Sequence, residues 1–149
     1  MPLTGTYLRI LDEKQRVGLP KRLREDLGCL ECNHLYIAPG TQKSLVLYSP
    51  EGFNCLSETL SSRGFPGGDQ TYLRLFYSSA ERVDLDNQGR FRIPDRLSTH
   101  ALLDKEIYLL GVNDHVEIWD REHWDRYTRT FSPQFDQLSS PGNSWQIAG

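Results

Sequence analysis

Long apolar runs are missing from this sequence. Nothing in its 149 residues approaches the roughly 18 consecutive apolar residues that a membrane-spanning helix needs, so no membrane partner is expected. Met1-Pro2-Leu3-Thr4-Gly5 lacks the charged and apolar regions of a secretory leader, and a cytoplasmic location is the expectation. Cysteine is scarce: Cys29, Cys32 and Cys55 are an odd number, which argues against a disulfide framework. Cys29 and Cys32 have the spacing of half a zinc site with His34 close behind, but the second ligand pair of a structural zinc is absent. Three reduced thiols, no metal and no cofactor are expected. Catalytic motifs are lacking too. His34, His100, His115 and His123 accompany no recognisable serine or cysteine nucleophile motif, and neither a glycine-rich phosphate loop nor an H-E-x-x-H pair occurs. An enzyme, and with it a small-molecule substrate, is not expected. An excess of positive charge is missing as well, since the net charge of −3 does not advertise nucleic-acid binding.

What the chain does have is repetition. Asp12-Glu13-Lys14-Gln15-Arg16-Val17-Gly18-Leu19-Pro20-Lys21-Arg22-Leu23 recurs as Asp86-Asn87-Gln88-Gly89-Arg90-Phe91-Arg92-Ile93-Pro94-Asp95-Arg96-Leu97, at a constant spacing of 74 residues. Asp, Arg, Pro and Leu coincide, and Val17 meets Phe91 as Leu19 meets Ile93. Such a period marks two copies of one structural unit. Around each copy the pattern is the same. A short strand (residues 6–11 in the first half) leads into a tight turn and a second strand, and proline then opens a helix. The first such helix, 21–27, stops at Gly28; its partner spans 95–102. Two apolar runs follow in each half, 34–38 and 44–48 against 106–110 and 115–119, and then a helix, from Pro50 to about Leu60 and from Asp120 to about Phe131. The turn of the second copy places Gly89 where a positive φ is wanted; the first copy has Gln15 there, a local misfit.

An α+β fold is therefore expected: tandem pseudo-twofold units of short strands and hairpins with flanking helices around one shared core. The first unit spans 1–63, the second 64–131, and 132–149 form a C-terminal tail. Residues 61–69 read as a loop and 71–79 as a short apolar helix entering the second unit. Tyr72, Leu73, Phe76 and Trp124 supply more apolar side chains than a domain of this size readily encloses, which points to self-association.

The charge is unevenly spread. Between Arg9 and Arg24 six basic residues (Arg9, Lys14, Arg16, Lys21, Arg22 and Arg24) face only Asp12 and Glu13, a local net of +4. Between Arg82 and Arg96 four arginines face Asp84, Asp86 and Asp95, a net of +1. A basic patch on an acidic chain is either a solvated face or an electrostatic footprint for nucleic acid. The turns admit two readings as well. Asp12–Arg16 and Asp86–Arg90 form charge-assisted pairs that do no more than lock two hairpins, or the same turns read duplex DNA, with Arg on a guanine edge in the major groove and Arg9, Lys14, Gln15 and Arg22 adding base and phosphate contacts. On charge, the first copy is expected to dominate.

At this point the residues meet a known pattern. Gly5-Thr6-Tyr7, Leu11-Asp12-Glu13-Lys14-Gln15-Arg16, Leu19-Pro20 and Arg24-Glu25 resemble the opening of the MraZ family. Arg74-Leu75-Phe76-Tyr77-Ser78, Leu85-Asp86-Asn87-Gln88-Gly89-Arg90 and Ile93-Pro94 resemble its second half, and Glu117-Ile118-Trp119 with Trp124 its ending. The likeness covers residues 3–131. It implies two AbrB-like swapped-hairpin units per chain and a homo-oligomer closed into a ring. It further implies a bacterial DNA-binding transcriptional regulator, nucleoid-associated, that acts on cell-division and cell-wall operons through tandem direct repeats in promoter DNA. Carried over by position, the readers are Lys14, Gln15 and Arg16, with Arg90 in the second copy, while Asp12, Asp86 and Gly89 shape the turns. Gln15 departs from the glycine usual in the family's first turn, and the tail from Ser132 has no counterpart. The competing expectation is a structural or protein-binding ring that does not bind DNA.

Overall fold

A computed structural model describes residues 1–63 and 70–139. Its elements follow the repeat. The first half holds β1 (Thr6–Ile10), β2 (Arg16–Gly18), α1 (Lys21–Asp26), β3 (His34–Pro39), β4 (Leu45–Tyr48) and α2 (Pro50–Arg63). After α3 (Gln70–Ser79), the second half holds β5 (Glu81–Asp84), β6 (Arg90–Arg92), α4 (Asp95–His100), β7 (Glu106–Val112), β8 (His115–Asp120) and α5 (Arg121–Phe131). A 3-10 turn (Ser132–Gln134) and α6 (Phe135–Leu138) continue the chain beyond α5, inside what the sequence suggested was a tail. The rest of that expected tail, 140–149, and residues 64–69 of the expected loop lie outside the described residues.

Six antiparallel strands form one sheet in the order β1-β7-β8-β4-β3-β5. Exchanging each strand for its repeat partner (β1 with β5, β3 with β7, β4 with β8) turns that order into its own reverse, so the two halves meet at the β4–β8 seam as a pseudo-twofold pair. The seam is registered by Leu45 opposite Ile118 and Leu47 opposite Val116. Both edge strands bind the hairpin of the half they adjoin: β1 pairs with β7, Tyr7 opposite Leu109, and β5 with β3, Glu81 opposite Ile37.

The local reading made β1-turn-β2 a hairpin. Here the structure corrects it, because β2 leaves β1 and pairs with β6, Val17 opposite Phe91. The reason is burial. Both side chains are 1% exposed and belong to a single core with Leu19, Leu23, Ile37, Leu47, Ile93, Leu97, Leu109 and Ile118, drawn from both halves. Pairing across the repeat lets Val17 and Phe91 close that core from one side, where a local hairpin would serve each half separately. On the opposite sheet face Tyr36 stacks on Phe53 of α2 at 4.8 Å, and Trp119 meets Trp124 of α5 at 4.9 Å edge-to-face. Of the residues expected to favour self-association, Phe76 is buried in this aromatic layer, stacked toward Phe53, while Tyr72 stays exposed.

Pro20 and Pro94 cap α1 and α4 with φ of −54° and −58°, close to the angle that the pyrrolidine ring imposes. Gly28 follows α1 with φ of +74°; the matching position after α4 is Leu102 at φ of +53°. Cys29 and Cys32, expected as free thiols, are joined as a disulfide. The turn after α1 brings their Cα atoms to 4.8 Å, within bridging range. Cys55 is free and exposed. Among the described residues, no helix is long and apolar enough to cross a membrane.

Candidate nucleic-acid interface

The turn between β1 and β2 is built by one carboxylate. Asp12 Oδ1 accepts the backbone N–H groups of Lys14 (2.9 Å) and Arg16 (2.8 Å), while Oδ2 accepts Arg16 Nε at 2.8 Å. The Asp12 N–H donates to the Arg16 carbonyl and the Gln15 N–H to the Asp12 carbonyl, each at 3.0 Å. Asn can also make an Asx-type turn, but only the carboxylate of Asp adds a second acceptor oxygen for the Arg16 guanidinium. The second turn repeats the pattern. Asp86 Oδ1 accepts from the N–H groups of Gln88 (2.8 Å) and Arg90 (3.0 Å), and Oδ2 from Arg90 Nε at 2.9 Å. The backbone bonds of Arg16, helped by its guanidinium and the Lys14 N–H against some opposing burial, hold the Asp12 carboxyl below its usual range. The same groups of Arg90 and Gln88 lower Asp86.

Gln15 adopts φ of +61° and Gly89 φ of +76°, so the expected misfit at Gln15 is absorbed without changing the turn. A non-glycine residue there carries a strain of about 1–2 kcal/mol. Two contacts fix it. The Gln15 carbonyl accepts the Ile93 N–H at 2.9 Å, and Gln15 Oε1 accepts the Ser98 hydroxyl of α4 at 3.3 Å. At the other end of the β2–β6 ladder the Gly89 carbonyl accepts the Leu19 N–H at 3.0 Å. Each turn is thereby clasped by the strand exit of the other half.

That exchange rearranges the charge. The second turn abuts the start of α1, with Lys21, Arg22 and Arg24. A Cβ on Gly89 would stand 3.1 Å from Arg24 Nη1, so that guanidinium lies close over the turn. Arg24 also donates to the Cys29 and Leu30 carbonyls, each at 3.3 Å. The first turn, with its own Lys14, abuts α4, whose first residues are Asp95 and Arg96. The basic excess read along the first segment is thus divided between the two turns.

The outward face of the two-stranded ribbon carries Arg16, Gly18, Arg90 and Arg92, since Val17 and Phe91 take the inward positions. Arg16 and Arg90 are each about one-third exposed and held through Nε. Lys14 and Arg22 are exposed, and Gln15 is half-buried against Ser98. Arg9 stands apart from the group. It lies on β1 opposite Ile107, its guanidinium 5.5 Å from the Tyr7 ring centre and donating to the Leu8 carbonyl at 2.8 Å. Two residues were missed. Arg92, paired with Asp95 at 3.0 Å, shares the ribbon face with Arg90, which the period-2 alternation of a strand would have revealed. Arg24 reaches the second turn only through the strand exchange, and no local pattern marks it.

A family model described as "MraZ protein, putative antitoxin-like" matches residues 76–140. Full-length likenesses extend this to the whole repeat. The chain is 36% identical over 136 residues to the transcriptional regulator MraZ of Moorella thermoacetica, covering 91% of this chain and 92% of that protein. It is 34% identical over 137 residues to the protein of the same name from Alkaliphilus oremlandii, covering 91% and 93%. It is 32% identical over 142 residues to that from Finegoldia magna, covering 95% and 96%.

Proposed function

The chain belongs to the MraZ family, and on that premise we propose that it is a transcriptional regulator that binds double-stranded DNA through its two Asp-x-x-x-Arg turns. One observation carries the reading: both turns hold their arginine by Nε alone, on the outer face of a two-stranded ribbon. An arginine oriented this way keeps its two Nη groups as donors for the O6 and N7 edge of guanine, and a two-stranded ribbon fits the major groove. Three residues of ladder span about 10 Å at the usual rise per residue, close to the width of that groove. Fixing the guanidinium before binding also lowers the entropy lost on contact.

In this reading Arg16 and Arg90 contact bases. Lys14, Gln15 and Arg22 add base-edge or phosphate contacts, and Lys21, Arg24 and Arg92 strengthen the local field. Arg9, turned toward Tyr7, contributes at most through the backbone phosphates. Residues 1–63 and 64–131 act as paired units, with 132–149 as an extension. The chains assemble into a closed ring, so that a row of turns meets direct repeats in the promoter of a cell-division or cell-wall operon. Nucleoid association follows from that binding. The relatives are named as regulators, and no catalytic role is proposed.

The test is a gel-shift of the full chain against the DNA upstream of its own gene, repeated across a salt series. A retarded complex that survives excess unrelated DNA, and whose affinity falls steeply with salt as counterions are released, supports the proposal. A ring that leaves that DNA unshifted at low salt means a structural or protein-binding assembly instead.

A further inference from the structure

Two described helices, α3 and α6, have no described counterpart in the other half. Among the described residues no helix precedes β1 in the way that α3 precedes β5; counted from the helix starts, the 3-10 turn matches the last turn of α2, and the counterpart of α6 falls on 64–67, outside the described residues. These two unmatched pieces carry apolar side chains that the fold does not bury. On α3, Leu75 is 64% exposed; on α6, Phe135 is 69% and Leu138 is 53% exposed. Every residue from Phe131 to Leu138 is exposed.

Beside α3 there is a groove of about 350 Å³ between Tyr72, Leu75 and Phe76 on one side and Leu97 and His100 of α4 on the other. Its volume is that of an ordinary ligand-sized cleft, and its walls are mostly apolar. At its rim stands Arg96, whose side chain is 71% exposed and whose acidic neighbour, Glu81, is 3.9 Å away. Between Phe135 and Leu138 on α6 lies Asp136, likewise exposed. The groove thus offers apolar walls with a cation at the edge, and α6 offers two apolar side chains flanking an anion. Phe135 and Leu138, three apart on a helix, project to one side and suit one cleft. The groove belongs to the β5–β3 edge of the sheet, whereas α6 extends from α5, which packs on β7 and β8 toward the β1 edge. A contact between them in two molecules is therefore head-to-tail, the kind that closes into rings.

We infer that α6 of one chain docks in the α3–α4 groove of a second copy of the same chain, with Asp136 against Arg96. This rests on the ring reading above and specifies the surfaces that build it. The substitutions that test it lie on exposed positions outside the core. By light scattering, the parent chain should be an assembly, while Leu75→Glu and Phe135→Glu should each run at the 17.2 kDa of one chain and still melt cooperatively, at a temperature lowered only by the loss of association. Mixed in equal amounts, the two variants should form a one-to-one dimer and no larger species, because each retains one intact surface. Arg96→Glu should weaken assembly at least tenfold, and Asp136→Arg should restore it in the double variant. A parent assembly whose mass neither variant alters overturns the inference and leaves the ring standing. Monomeric variants that fail to dimerise on mixing overturn it as well. A parent chain that is already monomeric overturns both the inference and the ring, and leaves the groove to another occupant.

Discussion

The two turns are built alike and situated differently. Corresponding bonds in the Asp12 and Asp86 turns agree within 0.2 Å, from the paired N–H groups on Oδ1 to the Nε on Oδ2. What differs is the residue at positive φ, Gln15 or Gly89, and the helix alongside, α4 with Asp95, Arg96 and Ser98 or α1 with Lys21, Arg22 and Arg24. Charge counted along a segment is therefore not charge counted around a site. Strand exchange gives the basic helix of the first half to the turn of the second.

Separating the halves should have the largest effect on the two turns. Residues 1–68 alone lose the partners of β1 and β2 and half the shared core, and so small a chain already buries a marginal fraction of its surface. The fragment should be unfolded or self-associated by circular dichroism and light scattering; a stable monomer would show that the first turn stands independently. Next comes the ladder between the turns. Phe91→Ala removes a fully buried ring shared by both and should cost about 3–5 kcal/mol in urea unfolding, disturbing the two turns together.

Smaller effects distinguish the turns. Gly89→Ala forces a Cβ into a positive-φ position beside Arg24 and should cost about 1–2 kcal/mol. Gln15→Gly relieves the matching strain but gives up the Ser98 bond, so the unfolding free energy in urea should change by no more than about 1 kcal/mol in either direction. Acid should act on both alike. A carboxyl whose pKa is lowered on folding stabilises above its ordinary value of 3.8 and ceases to do so as the pH falls through its folded value. Both turns should therefore be intact at neutral pH and come apart only below the usual carboxylate range, read from the Lys14 and Gln88 amide shifts in an NMR titration.

Much of this was legible in the residues. Element order followed from the repeat, and the turn chemistry followed from Asp and Arg four apart, because a turn is closed by neighbours in sequence. Pairing partners were not, except that the resemblance to swapped-hairpin units implied an exchange. Nothing in Arg16-Val17-Gly18 says that β2 pairs with β6 rather than β1; that choice is made by the burial of Val17 against Phe91, 74 residues away. Arg24 was counted with the first turn and lies over the second for the same reason, and the charge argument favouring the first turn assumed that sequence neighbours stay spatial neighbours. The Cys29–Cys32 bridge was not legible because three cysteines are an odd number, whereas the bridge depends on the turn after α1 bringing two of them together. α6 was missed because Ser132 and Pro133 read as an end to structure, whereas they form one 3-10 turn.

The most direct measurement compares Arg16→Ala with Arg90→Ala in binding to the upstream DNA at one fixed salt concentration, each variant first checked for unchanged assembly and melting. Twin readers predict that each substitution costs about 1–3 kcal/mol per bound subunit and relaxes sequence preference, with the two losses within about threefold of each other. Specific binding untouched by either substitution, in a protein that still folds and assembles, would contradict the account.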